Sequence, residues 1–303
     1  MRDAFRVVAG ICQSWLVLGR IKPEIVFTRG GFVSVPVALA AKLRRIAYIT
    51  HDSDSTPSLA NRIIYRWASV NAVAMPPETY PYPPNKTVQV GVPISKQYQP
   101  TGVAQMLKYR QELGIADYES VICVTGGGNG AKKLNDIIRD NAPYLLKKYP
   151  KLIILHIAGR KLDKELINDY DSMLDSKLRQ RVIVKDFVTD LYKYSGAADI
   201  IIARGGATNL AEFAAQRKPC VIIPSKQLIW NVRNAEALAA QQAVISLSED
   251  QAEQELRLAS VLSDLLDNSK KRLELSNKFA QFANQNATQD IVELIIKLIK
   301  PES

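Results

Sequence analysis

The sequence predicts two doubly wound α/β domains, each a parallel sheet flanked by helices. Three observations carry this. Short apolar runs alternate with helical patterns along nearly the whole chain, the order that builds βαβ units. The runs are apolar throughout, as strands covered on both faces are. Seven of the fifteen prolines fall between Pro76 and Pro100, which predicts a linker near 92–103.

Taken in order, the chain opens with a helix over residues 2–19, with Phe5, Val8, Ile11, Cys12, Trp15 and Leu16 on a wide apolar face. Strands are predicted at 24–28, 46–50, 71–75 and 87–90 before the linker. After it they are predicted at 120–124, 152–158, 181–187, 199–203 and 220–224. All are rich in Val and Ile and bounded by Gly, Pro or charge. Helical patterns fill 131–148, 163–178, 208–216 and 230–240. Residues 30–45 join a strand to a helix, with Ser34 suited to the N-cap and Pro36 to the first turn. The end, 249–299, reads as helical, with apolar spacing at Leu256, Leu262 and Leu265 and again at Ile291, Leu294, Ile295 and Leu298.

A chain of 303 residues with 47% apolar and 23% charged residues can build two medium cores. No apolar run approaches the roughly 20 residues that span a bilayer. The apolar stretch near the start is broken by Gly10, Gln13 and Ser14, so it does not read as a signal peptide. Cys12, Cys123 and Cys220 stand alone in apolar runs, which predicts buried thiols and neither a disulfide framework nor a zinc site. The net charge is +10, with eleven Lys/Arg against five Asp/Glu in residues 1–95. With no basic run of five and no aromatic–basic interleaving, nucleic acid is not the expected partner. An anionic membrane surface, anionic small ligands or plain solubility remain.

Two loops point to phosphate. TGGGNGAKKLN (125–135) follows a strand and opens a helix. Its glycines permit a sharp turn close to a ligand, and the free amides of the first helical turn favour an anion. A plain tight βα turn is the bland alternative. A dinucleotide fingerprint wants G-x-G-x-x-G and an acid at the end of the next strand. Here the spacing is GGGNGA and the next strand runs into Gly159, which argues against NAD. The second loop, ARGGATNLAE (203–212), has the same form, and Glu212 lies one to two turns into its helix, where a carboxylate can accept both ribose hydroxyls. His51 leaves a strand directly into a polar turn. The D-x-D of Asp52, Ser53 and Asp54 reads as local turn chemistry rather than a metal site.

In order, GGFVSVPVALAAK, HDSDSTPSLANR, VGVPIS, GGGNGAKKLN and DFVTDLYKYSGAADIIIARGGATNLAE resemble the MurG family over most of residues 22–245. The resemblance implies the two-domain GT-B fold, with Rossmann-like domains facing a cleft. It implies inverting transfer of N-acetylglucosamine from UDP-N-acetylglucosamine to lipid I, a peptidoglycan precursor, at the cytoplasmic face of the membrane. No cofactor or metal is implied. The expected domains are an acceptor and membrane-facing domain (1–95), a UDP-sugar domain (103–285) and a C-terminal helix (286–303). Residue by residue, Gly127, Gly128 and Asn129 match the loop that meets the nucleotide sugar. Phe187 and Val188 match the uracil segment. Ala207, Thr208 and Asn209 match the diphosphate residues, Glu212 matches the ribose acid, and Asn231 falls in the sugar-side segment. Gly30, Gly31, Asp54 and Asn61 match the acceptor side, and His51 and Asp52 are the expected catalytic pair.

There are departures. The family's H-E-Q-N is His51-Asp52-Ser53-Asp54 here, and its G-N-P-V-R is GVPIS, with Lys96 as the substitute cation. The family's first strand and G-G-T-G-G-H loop have no counterpart ahead of Ile25. The N-terminal domain is therefore expected to be incomplete. A truncated form, a late start or a separate N-terminal piece each account for that. A UDP-sugar-binding subunit that needs a partner, and a related enzyme such as a UDP-N-acetylglucosamine epimerase, are the alternative functions.

Overall fold

The computed structural model describes residues 2–128 and 130–300, with side chains from Arg6 onward. The chain forms two compact units, residues 1–94 with 284–303 and residues 95–283.

The first unit contains α1 (Arg2–Ile21), β1 (Ile25–Thr28), α2 (Ser34–Leu43), β2 (Ala47–Asp52), α3 (Leu59–Ile64), β3 (Val70–Val73) and β4 (Thr87–Gln89). The strands pair in parallel in the order β1-β2-β3-β4. Alternation along β2 divides the core. Tyr48 faces Leu18, Ala38, Ala41 and Ile64 on one side. Ile49 faces Ala72, Val90 and Ile291 on the other. Ile291 belongs to the last helix, Ala287–Ile299. Helix α2 starts at Ser34 without a side-chain cap, and Val33 takes the N-cap position expected for Ser34. The Ser34 hydroxyl instead accepts from Thr28 at the end of β1. Helix α1 packs on α2. Leu18 joins the cluster with Ala38 and Ala41, while Val8, Trp15 and Leu16 stay exposed, and so does Cys12, against the expectation of a buried thiol. Phe5, expected on the same face, lies outside the described side chains.

The second unit runs α4 (Val103–Glu112), β5 (Ser120–Thr125), α5 (Lys132–Lys148), β6 (Leu152–Ile157), α6 (Asp163–Met173), α7 (Ser176–Arg179), β7 (Val182–Lys185), α8 (Leu191–Ala197) and β8 (Ile200–Ala203). It continues with α9 (Ala207–Ala215), β9 (Cys220–Ile222), α10 (Ile229–Ala240), β10 (Ile245–Ser246), α11 (Glu249–Ala252), α12 (Arg257–Asp267) and α13 (Ser269–Ala280). Six parallel strands lie in the order β10-β9-β8-β5-β6-β7. The order reverses between β5 and β8, which makes their carboxyl ends the switch point where ligands of open α/β sheets bind. Ile122, Ile154, Leu146 and Ile200 are fully buried in its core, each contributing about 1.5–3 kcal/mol by leaving water.

The structure departs from the sequence expectation in three further places. Residues 163–178 are not one helix: Leu174 ends α6, and the Asp175 carboxylate accepts from Lys177 and Leu178 to start α7. Strand β10 has only two residues. The helical end breaks into α11, α12, α13 and α14 (Ala287–Ile299), and α14 returns to the first unit. There Ile291 covers Ile49, Ala72 and Val90, with Leu294, Ile295 and Leu298 packed alongside. The Asn284 amide donates to the Val90 carbonyl at 3.0 Å.

Candidate functional site

In the second unit, β5 ends in a glycine turn fixed from several directions. Gly127 has φ of +85° and Gly130 of +73°. The Gly130 N–H donates to the Gly127 carbonyl at 2.9 Å. A Cβ on Gly130 would lie 2.5 Å from the Ala158 carbonyl oxygen, so the close approach of the turn to the end of β6 requires glycine. Below it is a buried network. The Asn135 amide donates to Ala158 O at 3.0 Å, which leaves Asn135 Oδ1 to accept from His156 Nε2 at 3.1 Å. His156 Nδ1 then accepts from the Tyr170 hydroxyl at 3.0 Å. Burial pushes the His156 pKa down to about 3, so the ring stays neutral. From β8, Arg204 donates to the Gly130 carbonyl at 2.9 Å and ties the two loops together. Asn129 lies outside the described residues.

The loop after β8 starts α9 at Ala207 with no side-chain cap, and α5 likewise starts uncapped after Ala131. The first amides of both helices are therefore unclaimed by capping side chains, and both macrodipoles favour negative charge there. A cavity of about 480 Å³ beside the start of α5 is lined by Lys132, Lys133, Arg204 and Lys226 against Asp136 and Glu249. Thr208 is exposed, Ala207, Asn209 and Glu212 are half-buried, and Asn231 is buried. Burial raises the Glu212 carboxyl to about 7, and a hydrogen bond from Tyr98 opposes the rise. Phe187, 39% exposed, carries the Arg160 guanidinium 4.0 Å above its ring. Both reach Gly128: a Cβ there would lie 3.3 Å from Arg160 Nη1 and 3.4 Å from the Phe187 ring. Val188 follows, half-buried. The loops after β5, β7 and β8 thus bring Gly127, Gly128, Phe187, Val188, Ala207 and Thr208 to the carboxyl edge of one sheet, and Asn209 and Glu212 follow within the first two turns of α9. Sequence reasoning missed Tyr98 and Arg160, which lie outside both glycine loops, and gave no role to Arg204, which lies within the second.

In the first unit, Gly30 (φ +80°) packs so closely that a Cβ would lie 2.5 Å from Ser58 Oγ and 2.7 Å from Asn61 Nδ2. Gly31 is exposed. Asn61 Nδ2 donates to the His51 carbonyl at 3.2 Å. The catalytic roles expected of His51 and Asp52 meet a closed geometry. His51 is 0% exposed. Its Nε2 lies 2.9 Å from the Gly91 carbonyl, which requires the proton on Nε2, and Nδ1 faces the Ser53 hydroxyl at 3.3 Å. Burial holds its pKa below the ordinary value. Asp52 is 4% exposed and accepts from the Tyr82 hydroxyl at 2.6 Å and the Ser58 N–H at 3.0 Å. Burial raises its pKa, and the Tyr82 hydrogen bond pulls against that. Neither residue presents an open proton-accepting face; both brace the turn that starts α3. The Tyr80 hydroxyl donates to the Asp54 carbonyl at 2.8 Å, so Asp54 is held through its backbone. Among the described residues no cluster of three His, Cys, Asp or Glu is arranged to hold a metal.

Comparison with known proteins adds a second line. Residues 121–295 match the glycosyltransferase family 28 C-terminal domain, and residues 1–73 match the family 28 N-terminal domain. A UDP-N-acetylglucosamine–N-acetylmuramyl-(pentapeptide) pyrophosphoryl-undecaprenol N-acetylglucosamine transferase of Clostridium botulinum (strain Alaska E43) is 32% identical over 98% of the chain and 79% of its own length. The crystal structure of Acinetobacter baumannii MurG superposes with a TM-score of 0.76 and 26% identity, over 97% of the chain and 79% of its own. A Listeria monocytogenes structure described as a UDP-N-acetylglucosamine 2-epimerase superposes at 0.69 with 10% identity, over 98% of the chain and 80% of its own, a likeness of fold alone.

Proposed function

The chain belongs to glycosyltransferase family 28, in its MurG branch, and on that premise we propose how its own residues serve the activity. It is a glycosyltransferase that moves N-acetylglucosamine from UDP-N-acetylglucosamine to the lipid-linked N-acetylmuramyl-pentapeptide acceptor. The observation that supports the donor reading most is the pair of uncapped helix starts after β5 and β8, neighbouring strands at the switch point of one sheet. Their amides receive the diphosphate. As the acceptor hydroxyl attacks the anomeric carbon, charge builds on the departing UDP. Fixed amides stabilise that charge more in the transition state than in the ground state. Glu212 accepts the ribose hydroxyls, and Phe187 and Val188 meet the uracil. In the first unit, Gly30, Gly31, Asp54 and Asn61 shape the acceptor turn, with His51 and Asp52 bracing it.

The acceptor is lipid-linked, so the protein works at a membrane surface. Among the described residues no helix is long and apolar enough to cross a bilayer. The exposed Val8, Trp15 and Leu16 of α1 support surface docking, beside Arg44, whose guanidinium lies 4.0 Å over the Trp15 ring. The activity test is direct. With UDP-N-acetylglucosamine and a lipid I analogue, the product should gain the mass of one N-acetylhexosamine as UDP is released. UDP release without that product, or conversion to N-acetylmannosamine derivatives, would refute the reading.

A further inference from the structure

The cavity beside the start of α5, about 480 Å³, falls within the roughly 300–1,000 Å³ of small-ligand pockets. Among the described residues neither Phe187 nor Thr208 nor Glu212 lines it, so it lies apart from the places given above to uracil and ribose. It belongs to the face of the sheet that α5 and α11 cover, where Leu134 and Ala252 join Ile122, Val124 and Ile223 in one cluster. Four cations line it, Lys132, Lys133, Arg204 and Lys226, and Ser225 and Gln227 add neutral donors. The two lining carboxylates each have a partner: Asp136 pairs with Arg139 at 3.0 Å, and Glu249 accepts from the Lys226 N–H at 3.4 Å. Arg204 is the fixed element. Its guanidinium has five N–H donors, and the Gly130 carbonyl, at 2.9 Å, is its one hydrogen-bond partner among the described residues. Donors of a charged group left unpaired in a partly buried place call for an acceptor. The three lysines are exposed and pair with Glu165, Glu253 and Asp250, none of which lines the cavity. Exposed pairs of that kind are weak and screened, so an anion in the cavity can draw the ammonium groups inward.

We propose that this cavity is a second anion site of the second unit, one that takes a phosphate or pyrophosphate group while the donor site is filled. The guanidinium fork matches two oxygens of one phosphate, and the lysines add charge around it. The spare lone pairs of Asp136 and Glu249 suit hydroxyls of a sugar carried on that phosphate. Two occupants share this chemistry: the pyrophosphate of a lipid-linked muramyl acceptor, and a free phosphorylated metabolite. The proposal rests on the donor reading only in that UDP is taken to fill the other site.

The test titrates inorganic pyrophosphate, by calorimetry, into the full chain saturated with UDP. One equivalent should bind. Lys133→Ala combined with Lys226→Ala should weaken it about tenfold, as loss of charged hydrogen-bonding groups does, and leave the Kd for UDP unchanged. The charge-keeping pair, Lys133→Arg with Lys226→Arg, should bind as the parent does, and thermal melts of both pairs cover loss of fold. Pyrophosphate that binds only without UDP competes for the donor site and overturns the proposal. So does binding that the alanine pair leaves unchanged, or that the arginine pair loses as well. Turnover then tells the two occupants apart. A KM for the lipid I analogue that rises severalfold in the alanine pair, at unchanged KM for UDP-N-acetylglucosamine, identifies the acceptor's pyrophosphate. Both KM values unchanged, with pyrophosphate binding lost, identifies a free phosphate compound. If UDP fails to bind the parent, the donor reading falls instead, and pyrophosphate titration of the UDP-free chain and its alanine pair still decides the proposal.

Discussion

At Glu212, binding and stability pull in opposite directions. Its folded pKa of about 7 lies above its ordinary value of 4.5, so the folded chain holds a proton that the unfolded chain has released. That contribution is present at low pH and is lost as pH rises through about 7. Glu212→Gln should therefore raise Tm by a few degrees at pH 8 and leave it nearly unchanged at pH 4, read by calorimetry. Discounted for partial exposure, the effect is about 2 kcal/mol. The same variant should weaken UDP-N-acetylglucosamine binding about tenfold or more, as loss of a charged hydrogen-bonding group does. Individual residues were unevenly legible in the sequence. Gly127 and Gly130 announce a turn, because few other residues take their positive φ. His51 and Asp52 stood out by their place at a strand end, while their burial was invisible, because letters carry none. Their partners Gly91 and Tyr82 lie 40 and 30 residues away.

Among the elements, α5 shows how a helix start is aimed. Its glycine turn is held from beneath by Asn135, His156 and Tyr170, and from the side by Arg204. His156→Leu should strand the Asn135 carbonyl and the Tyr170 hydroxyl in the core, at about 2–4 kcal/mol, read as a lower urea midpoint. It should also remove one source of acid sensitivity. The unfolded chain takes up a proton at this histidine below about pH 6.5, while the buried ring resists to about 3. Stability from this residue thus falls as pH drops between those values. Gly130→Ala should cost about 2 kcal/mol or more through strain at positive φ and the clash with Ala158, and should abolish donor binding in calorimetry. At this scale the sequence was read well. All nine predicted strands occur, because runs such as SVICV are long enough to declare themselves. The two-residue β10 is too short to show a period, and the break at Asp175 depends on a cap that looks like any helix-surface acid.

Over the whole molecule, charge and apolar surface make one prediction. Vesicles with anionic lipid should retain the protein, and vesicles of neutral lipid should retain less. Trp15→Ser with Leu16→Ser on the exposed face of α1 should reduce retention severalfold, as buried apolar area at an interface is lost. If flotation is the same with both lipids and unaltered by the substitutions, surface docking through α1 is excluded. The division into units was only half legible. The proline cluster marks one crossing near residue 94, but the other at 284 is declared by no composition shift. A helix that pairs with strands far upstream looks, in sequence, like a separate tail. That long return also governs how the protein is made. The first four strands leave the ribosome early, and the helix that seals Ile49, Ala72 and Val90 is translated only after roughly 190 further residues. At about 5–20 residues per second this leaves a greasy sheet face open for about 10–40 s, an interval in which the nascent chain exposes apolar surface to aggregation.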